Sequence, residues 1–456
     1  MAKYQAYAEY KDSGVEWFQK IPINWNAVPL KYMCKGFVKD GPHETPKFID
    51  SGIPFLSVDG IQNCKLIFDG CRYISQEDHE RYSLKCKPVK GDILLGKAAS
   101  VGKVAYVDTN IEFNVWSPLA VITPKNNNLG KFIYYCIQSG ELQIQCEIFS
   151  NSNTQKNLGM NTIDNLDFPY PSEFEAIKII NFLDHETAKI DHLIEKQQQL
   201  IELLKEKRQA VISHAVTKGL DPNVPMKDSG VEWLGEVPEH WEIYKLKHAC
   251  SEIFLGLTSK VDYVDSNGVP LVRALNIKDG ILDLSTAKEI SNEQHKQLTK
   301  YRRAKRNDVL LSKSGTIGTA AIVDTDIEFS IYESIFSLRA IENILLSEYL
   351  LFFIRSSVAQ AQYSRDSVGM GVAHLNMPDI QEVRIPVPLI SEQKRILHFI
   401  REQLGIYDNL ILKAQISIKY MQERRTALIS AAVTGKIDVR NWQDPTLAEA
   451  DMEFSA

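Results

Sequence analysis

Residues 173–218 read EFEAIKIINFLDHETAKIDHLIEKQQQLIELLKEKRQAVISHAVTK. Within them Leu183, Thr187, Ile190, Ile194, Gln197, Ile201, Leu204, Arg208, Val211 and Ala215 recur at alternating steps of four and three. That is the spacing of a heptad seam along one face of a helix. The stretch returns between about Glu392 and Thr434, 217 residues on and without a gap. There the same positions carry Ile400, Leu404, Tyr407, Ile411, Ala414, Ile418, Met421, Arg425, Leu428 and Ala432. A helix of about 45 residues is roughly 67 Å long, more than the core of an ordinary domain requires. The spacing predicts two long helices that pack on each other as a rod.

Outward from the helices, the repetition continues. KDSGVEWFQKIPINW at Lys11–Trp25 returns as KDSGVEWLGEVPEHW at Lys227–Trp241, 216 residues later. The same offset aligns GDILLGKAASVGKVAYVDTNIEF from Gly91 with NDVLLSKSGTIGTAAIVDTDIEF from Asn307. Several blocks in one register identify an internal duplication. Each unit is a globular segment followed by a long helix. Ile53–Val58, Asp92–Leu95 and Val104–Val107 have the β-branched content of short strands. Lys131–Ile148 and Leu346–Gln362 read as helices. Phe168-Pro169-Tyr170-Pro171 must be extended, because proline disfavours helix in the residue before it. Ser172 and Glu175 then supply capping-box spacing, and Gly219 and Gly435 follow the helix ends as C-terminal caps.

Antiparallel pairing of the two helices is the arrangement in which a twofold axis relates the units. It predicts that Lys11–Trp25 packs against the end of the second helix, with Trp17 near Ala427–Val433, and that the circuit closes on itself. If the rod is centred on Gln197 and Ala414, Arg425 falls near Glu186. Arg208 and Arg425, the charged seam residues, either snorkel, pair with a carboxylate, or fix the register.

Composition narrows the class. The chain has 44% hydrophobic and 24% charged residues, as soluble globular proteins do. No apolar run approaches the ~18 residues of a membrane span, and Met1–Tyr10 lacks a signal-peptide pattern. Seven cysteines, an odd number without a CxxC pair, favour a reducing cytoplasm over a disulfide scaffold or a zinc site. The net charge of −6 argues weakly against nucleic acid, but the acidic tail from Asn441 to Ala456 holds Asp444, Glu449, Asp451 and Glu453 without a basic residue. A nucleic-acid surface needs only a local basic patch.

The motifs of catalysis are missing. GKAASVGK at Gly96–Lys103 has five residues between its glycines, not the four of a phosphate loop, and no Ser or Thr follows Lys103. Gly369-Met370-Gly371 is a lone GxG. There is no HExxH or GxSxG, and the Asn-Pro-Pro-aromatic and Asp-Pro-Pro-Tyr motifs of amino-methyltransferases are absent. Asp379 and Glu382 lack the lysine a nuclease would add. The ten histidines read as scattered, without equivalents between copies. The chain reads as non-catalytic.

Two differing globular segments alternate with two closely matching helices. Each unit opens on KDSGVEW, closes on FPYPS or RIPVP, and ends its helix with RxAxISxAVT. From about Lys11 to Val439 this resembles the DNA specificity subunit of Type I restriction–modification systems. The resemblance implies an α+β protein with two globular α/β target-recognition domains and two long helices in an antiparallel coiled coil, a pseudo-twofold internal repeat. It places the first recognition domain at 1–172, the first long helix at 173–219, and a linker with the second recognition domain at 220–390. The second long helix is then 391–440 and the tail 441–456. Each domain would read one half of a split site in double-stranded DNA. The rod would set the spacing and dock two methyltransferase subunits, with restriction subunits joining the full complex. No cofactor is expected in this chain; S-adenosylmethionine, ATP and Mg belong to the partners. Half-sites about 34 Å apart would show both readers the same groove face.

For DNA contact the residues favour the loops between the paired strands: Lys97, Ser100 and Lys103 in the first unit, and Lys313, Ser314 and Thr316 in the second. Small residues let backbone approach phosphate while Lys and Ser contact it; a plain hairpin is the alternative. Lys156, Asn157 and Asn161 in one Asn-rich loop, and Arg365 and Asn376 in its counterpart, are candidates because Asn reads adenine and Arg guanine. Arg273 and Asn276, and the run Arg302-Arg303-Lys305-Arg306, would supply phosphate contacts, unless they form a solvated face. The competing readings are a free-standing nuclease or methyltransferase, and a coiled-coil scaffold carrying two protein-binding domains.

Overall fold

The structure, a computed structural model, describes residues 4–150, 156–256, 260–278, 280–313, 317–365 and 375–443, with the side chains of 364 and 365 excluded. The chain forms two compact units. The first comprises Met1–Gln197 with Ile416–Ala456, the second Gln198–Gln415. The long helices, Glu173–Lys218 and Ile390–Val433, are therefore each shared between units. None of the described helices is long and apolar enough to cross a membrane.

In the first unit an antiparallel sheet runs in the order Val104–Tyr106, Ile93–Gly96, Leu119–Ile122, Lys39–Asp40. A second sheet joins Asn114–Val115, Ile53–Leu56 and Arg72–Ile74. The extended proline run pairs as Asp167–Tyr170 with Asn26–Pro29. Every residue of Ile93–Gly96 is buried, which is why that segment lacks polar alternation. The second unit repeats the order with Ala320–Ile322, Val309–Ser312, Ile335–Ala340 and Cys250–Leu255. Its second sheet gains an extra strand, Tyr263–Val264, beside Lys288–Ile290. Gly41 and Gly256 stand where the sheets touch. A Cβ there would lie 1.7 Å from Val115 O in the first unit and 2.3 Å from Ile331 O in the second, so neither site admits a side chain.

The single helix expected at Lys131–Ile148 is two, Asn127–Gln138 and Gly140–Ile148. Ser139 breaks it: its backbone is extended, its hydroxyl donates to Cys136 O (2.7 Å), and it accepts from Leu142 N (3.3 Å). The equivalent Ser356 divides Ser347–Ile354 from Ser357–Arg365 in the same way, accepting from Ala359 N. A serine offering its own hydrogen bonds competes with the helical ladder.

The first long helix begins at its serine cap, and both long helices end at a glycine. Ser172 Oγ accepts from Glu175 N and donates to Glu175 Oε2, and Gly219 and Gly435 have φ of +78° and +72°. The second helix starts without that serine, since Leu389 stands in its place. Within each unit the helix halves run antiparallel. In the first, Arg425 Nε meets Asp191 Oδ1 at 2.9 Å while Trp442 stacks edge-on against Phe182 further back. In the second, Arg208 Nε lies 3.1 Å from Asp408 Oδ1, an ion pair not aligned as a hydrogen bond. Tyr349 OH there donates to Val216 O and Pro386 O. The register differs from that expected. Arg425 pairs with Asp191, five residues beyond Glu186, which instead accepts from Tyr4 OH. The same shift holds in the second unit, where Arg208 faces Asp408.

Those ends follow the repeat. Trp17 packs on the first unit's core cluster, which also contains Leu428, Ile429 and Ala431 to Val433, and Tyr10 OH donates to Gly435 O at 3.0 Å, so the opening segment meets the end of the second helix. A Cβ on Gly435 would meet Pro22 and Trp25, and one on Gly219 would meet Trp241. Asp438 N donates to Gln5 O at 2.7 Å, so the segment after the second helix meets the opening segment within the first unit. The histidines need a correction. His79 and His295, 216 residues apart, are equivalent and buried, with Nδ1 against Asn114 Oδ1 (2.6 Å) and Ser330 Oγ (2.9 Å) respectively. Their Nε2 atoms lie 3.6 Å from Glu112 and 3.7 Å from Glu328. The flanking residues, SQEDHER and SNEQHKQ, differ enough to hide the match.

Candidate nucleic-acid interface

Two loops far apart in sequence meet in each unit. In the first, Leu158 N donates to Lys97 O (2.7 Å) and Ala98 bridges to Asn157. In the second, Leu375 N donates to Lys313 O (3.2 Å). The hairpin loop is clamped from below as well. Gln143 Nε2 donates to Gly102 O and Ile137 O, and Gln360 Nε2 repeats this with Gly318 O and Ile354 O. In the first unit both families of sequence candidates therefore share one surface, and in the second the described roots of the two loops meet.

Not all of them face it. Lys97 is 7% exposed and pairs with Asp40 at 3.3 Å, so it is a structural cation rather than a phosphate contact. Burial pulls the Asp40 carboxyl upward, but Lys85 and Lys97 outweigh that and hold it below the ordinary range. Lys103 and Asn157 are exposed, and Ser100 is half-buried. Lys156 pairs with Glu147, and Asn161 accepts twice from Asn165 Nδ2. Ser314 and Thr316 lie outside the described residues, as does the side chain of Arg365. Asn276 is buried, accepting from Arg273 N (2.9 Å) and donating to Thr286 Oγ1 (3.2 Å), so it shapes the turn and does not touch solvent. Much of the basic run is neutralised: Arg302 reaches Glu252, Arg303 pairs with Glu328, and Arg306 with Asp326. Glu382 is held down to about 2 by hydrogen bonds from Lys245 and Lys247.

What remains in the second unit converges. Arg273, Lys313 and Asn376 line an open cleft of about 540 Å³, together with Leu275, Tyr332 and Glu333. Leu275 is 88% exposed. Sequence reasoning missed Leu275, Tyr332 and Glu333, because local pattern does not report which strand ends a sheet brings together. The frame is common to both units. Lys313 N donates to Ser334 O and Tyr332 N to Val272 O, just as Lys97 N donates to Pro118 O and Trp116 N to Leu56 O. The side chains on that frame differ. Ser57, Asp59, Ser117 and Gly159 stand where Arg273, Leu275, Glu333 and Asn376 stand.

A family model for the Type I restriction modification DNA specificity domain matches residues 22–203 and again 238–417. The chain belongs to that family. Its two copies of the specificity domain correspond to the duplication. Among relatives, the Type I restriction enzyme EcoBI specificity subunit of Escherichia coli is 25% identical over 67% of this chain and 66% of its own length. The MjaIX specificity subunit of Methanocaldococcus jannaschii is 23% identical over 96% of this chain and 99% of its own. A solved chain described under complex assembly and conformational transition of the type I R-M system superposes with a TM-score of 0.65. It is 15% identical and covers 91% of this chain and 99% of that one, a likeness of fold. The side chains that differ on the repeated frame are the ones that line the cleft of the second unit.

Proposed function

We propose that this chain is the sequence-reading subunit of a Type I restriction–modification complex. Each globular segment, 1–172 and 220–390, reads one half of a bipartite site in double-stranded DNA. The two long helices set the gap between halves and dock two methyltransferase subunits. Methyl transfer from S-adenosylmethionine and ATP-dependent cleavage with Mg belong to the partners, and this chain contributes recognition without catalysis. The observation that carries the reading is one backbone frame, repeated in both units, with different side chains at corresponding places, which in the second unit line a cleft.

The helices support docking of two like partners. Leu193 and Tyr420 in the first unit, and Leu410 and Leu203 in the second, are large exposed apolar side chains. They correspond pairwise at the offset of 217, and a repeated exposed apolar surface fits two copies of one partner. Sequencing of methylated adenine in cells with and without this gene tests the proposal. A split motif that disappears with the gene is expected. Unchanged methylation, with no salt-dependent binding of the reconstituted complex to duplex DNA, would leave the scaffold reading in its place.

A further inference from the structure

The cleft of the second unit brings together two cations that no described carboxylate neutralises. Its two cations, Arg273 and Lys313, have no ion pair there, whereas Arg208, Arg302, Arg303, Arg306, Arg339 and Arg401 all do. Lys313 is released by a substitution across the sheet. In the first unit Asp40 faces Ala120 and neutralises Lys97; in the second, Leu255 faces Phe336 at the matching point. Arg273 is held at its root, since its N–H donates to the buried Asn276 and Asn276 N donates back to Arg273 O. Its guanidinium lies 5.6 Å over the Tyr263 ring, and its Nε is buried without an acceptor. A cation desolvated and left short of acceptors is costly unless a ligand supplies them.

Glu333 completes the arrangement as the carboxylate lining the same cleft. The fork of an arginine matches O6 and N7 of guanine, and a glutamate accepts from N4 of cytosine; in the major groove those edges belong to one base pair. We infer that Arg273 and Glu333 together read a single G·C pair of the half-site taken by the second unit, with Asn276 as the residue that positions Arg273. The first unit has Ser57 and Ser117 at these places and makes no such contact. This inference rests on the DNA-reading function proposed above.

The test uses the full chain assembled with its methyltransferase subunits, on duplexes varied one pair at a time through both half-sites. Wild-type protein, Arg273→Ala, Arg273→Lys and Glu333→Gln are compared. At one G·C position in one half-site, Arg273→Ala is expected to lose roughly tenfold to a hundredfold discrimination, the worth of one bidentate contact. Arg273→Lys keeps the charge but not the fork, so it loses most of that preference, and Glu333→Gln weakens the same position. Undiminished discrimination in the other half-site shows that the variants are folded. A uniform loss over all sequences would make Arg273 a phosphate contact and overturn the assignment, as would no loss. A wild-type complex without any bipartite preference would sink the proposed function itself, whereas a bipartite preference indifferent to Arg273 sinks only this inference.

Discussion

Lys97 and Lys313 stand at the same place in the two copies, and only the first is faced by an aspartate. The pairing has a measurable consequence. Replacing Asp40 by Asn leaves Lys97 buried without its counter-charge, a loss of about 3 kcal/mol by the measure of broken buried pairs. Because Lys85 and Lys97 hold the Asp40 carboxyl down in the folded state, its contribution is present above the unfolded value near ~4. It fades as pH falls through the folded value. Denaturant melts of wild type and Asp40→Asn should therefore differ most at neutral pH and converge below about pH 4; a gap that persists in acid would refute the pairing. At this scale the sequence was a partial guide. Lysine beside glycine and serine reads as a phosphate contact, and only the partner strand, reached through sheet pairing, decides that Lys97 turns inward while Lys313 lines a cleft.

At the scale of elements, the long helices were the most legible part of the chain. A seam of period 3.5, a serine–glutamate cap and a terminal glycine are local signals, and each coincides with an observed boundary. The division at Ser139 and Ser356 was not legible, because apolar spacing continues on both sides while a single hydroxyl redirects the backbone. The meeting of the two loops was also hidden, since about 60 residues separate Lys97 from Leu158 in both the chain and its repeat. The helices carry a prediction of their own. Inserting four residues after Gln197 lengthens one helix by about 6 Å, nearly two base-pair steps at ~3.4 Å each. The methylated motif should then keep both half-sites and widen its gap. A gap that does not change would mean the helices are not the ruler.

For the whole molecule, duplication with divergence is the organising fact. What repeats is the backbone frame, the glycines that close the long helices and the Arg–Asp pairs; what differs includes the side chains that line the cleft of the second unit. Two equal partners are therefore expected to bind by way of two equivalent apolar surfaces. Substituting Glu for Leu193 and Tyr420 should reduce the methyltransferase count from two to one per chain, measured by mass in solution. The matching change at Leu410 and Leu203 should remove the other. Loss of both partners from either pair alone would mean that the surfaces are not equivalent.

The Arg–Asp pairs have one more implication. Each long helix contains both members, Asp191 with Arg208 on the first and Asp408 with Arg425 on the second, so a lock and its key travel on the same strip. An inverted second copy of either helix would satisfy its charges as well as the native mate does. Concentrated protein should thus show some like-with-like exchange between molecules. Reversing one pair, with Asp191→Arg and Arg425→Asp together, keeps every intramolecular attraction and sets two like charges against each other in any such exchange. Sedimentation of that double variant should show the larger species depleted, and their persistence would mean that these charges play no part in choosing the mate.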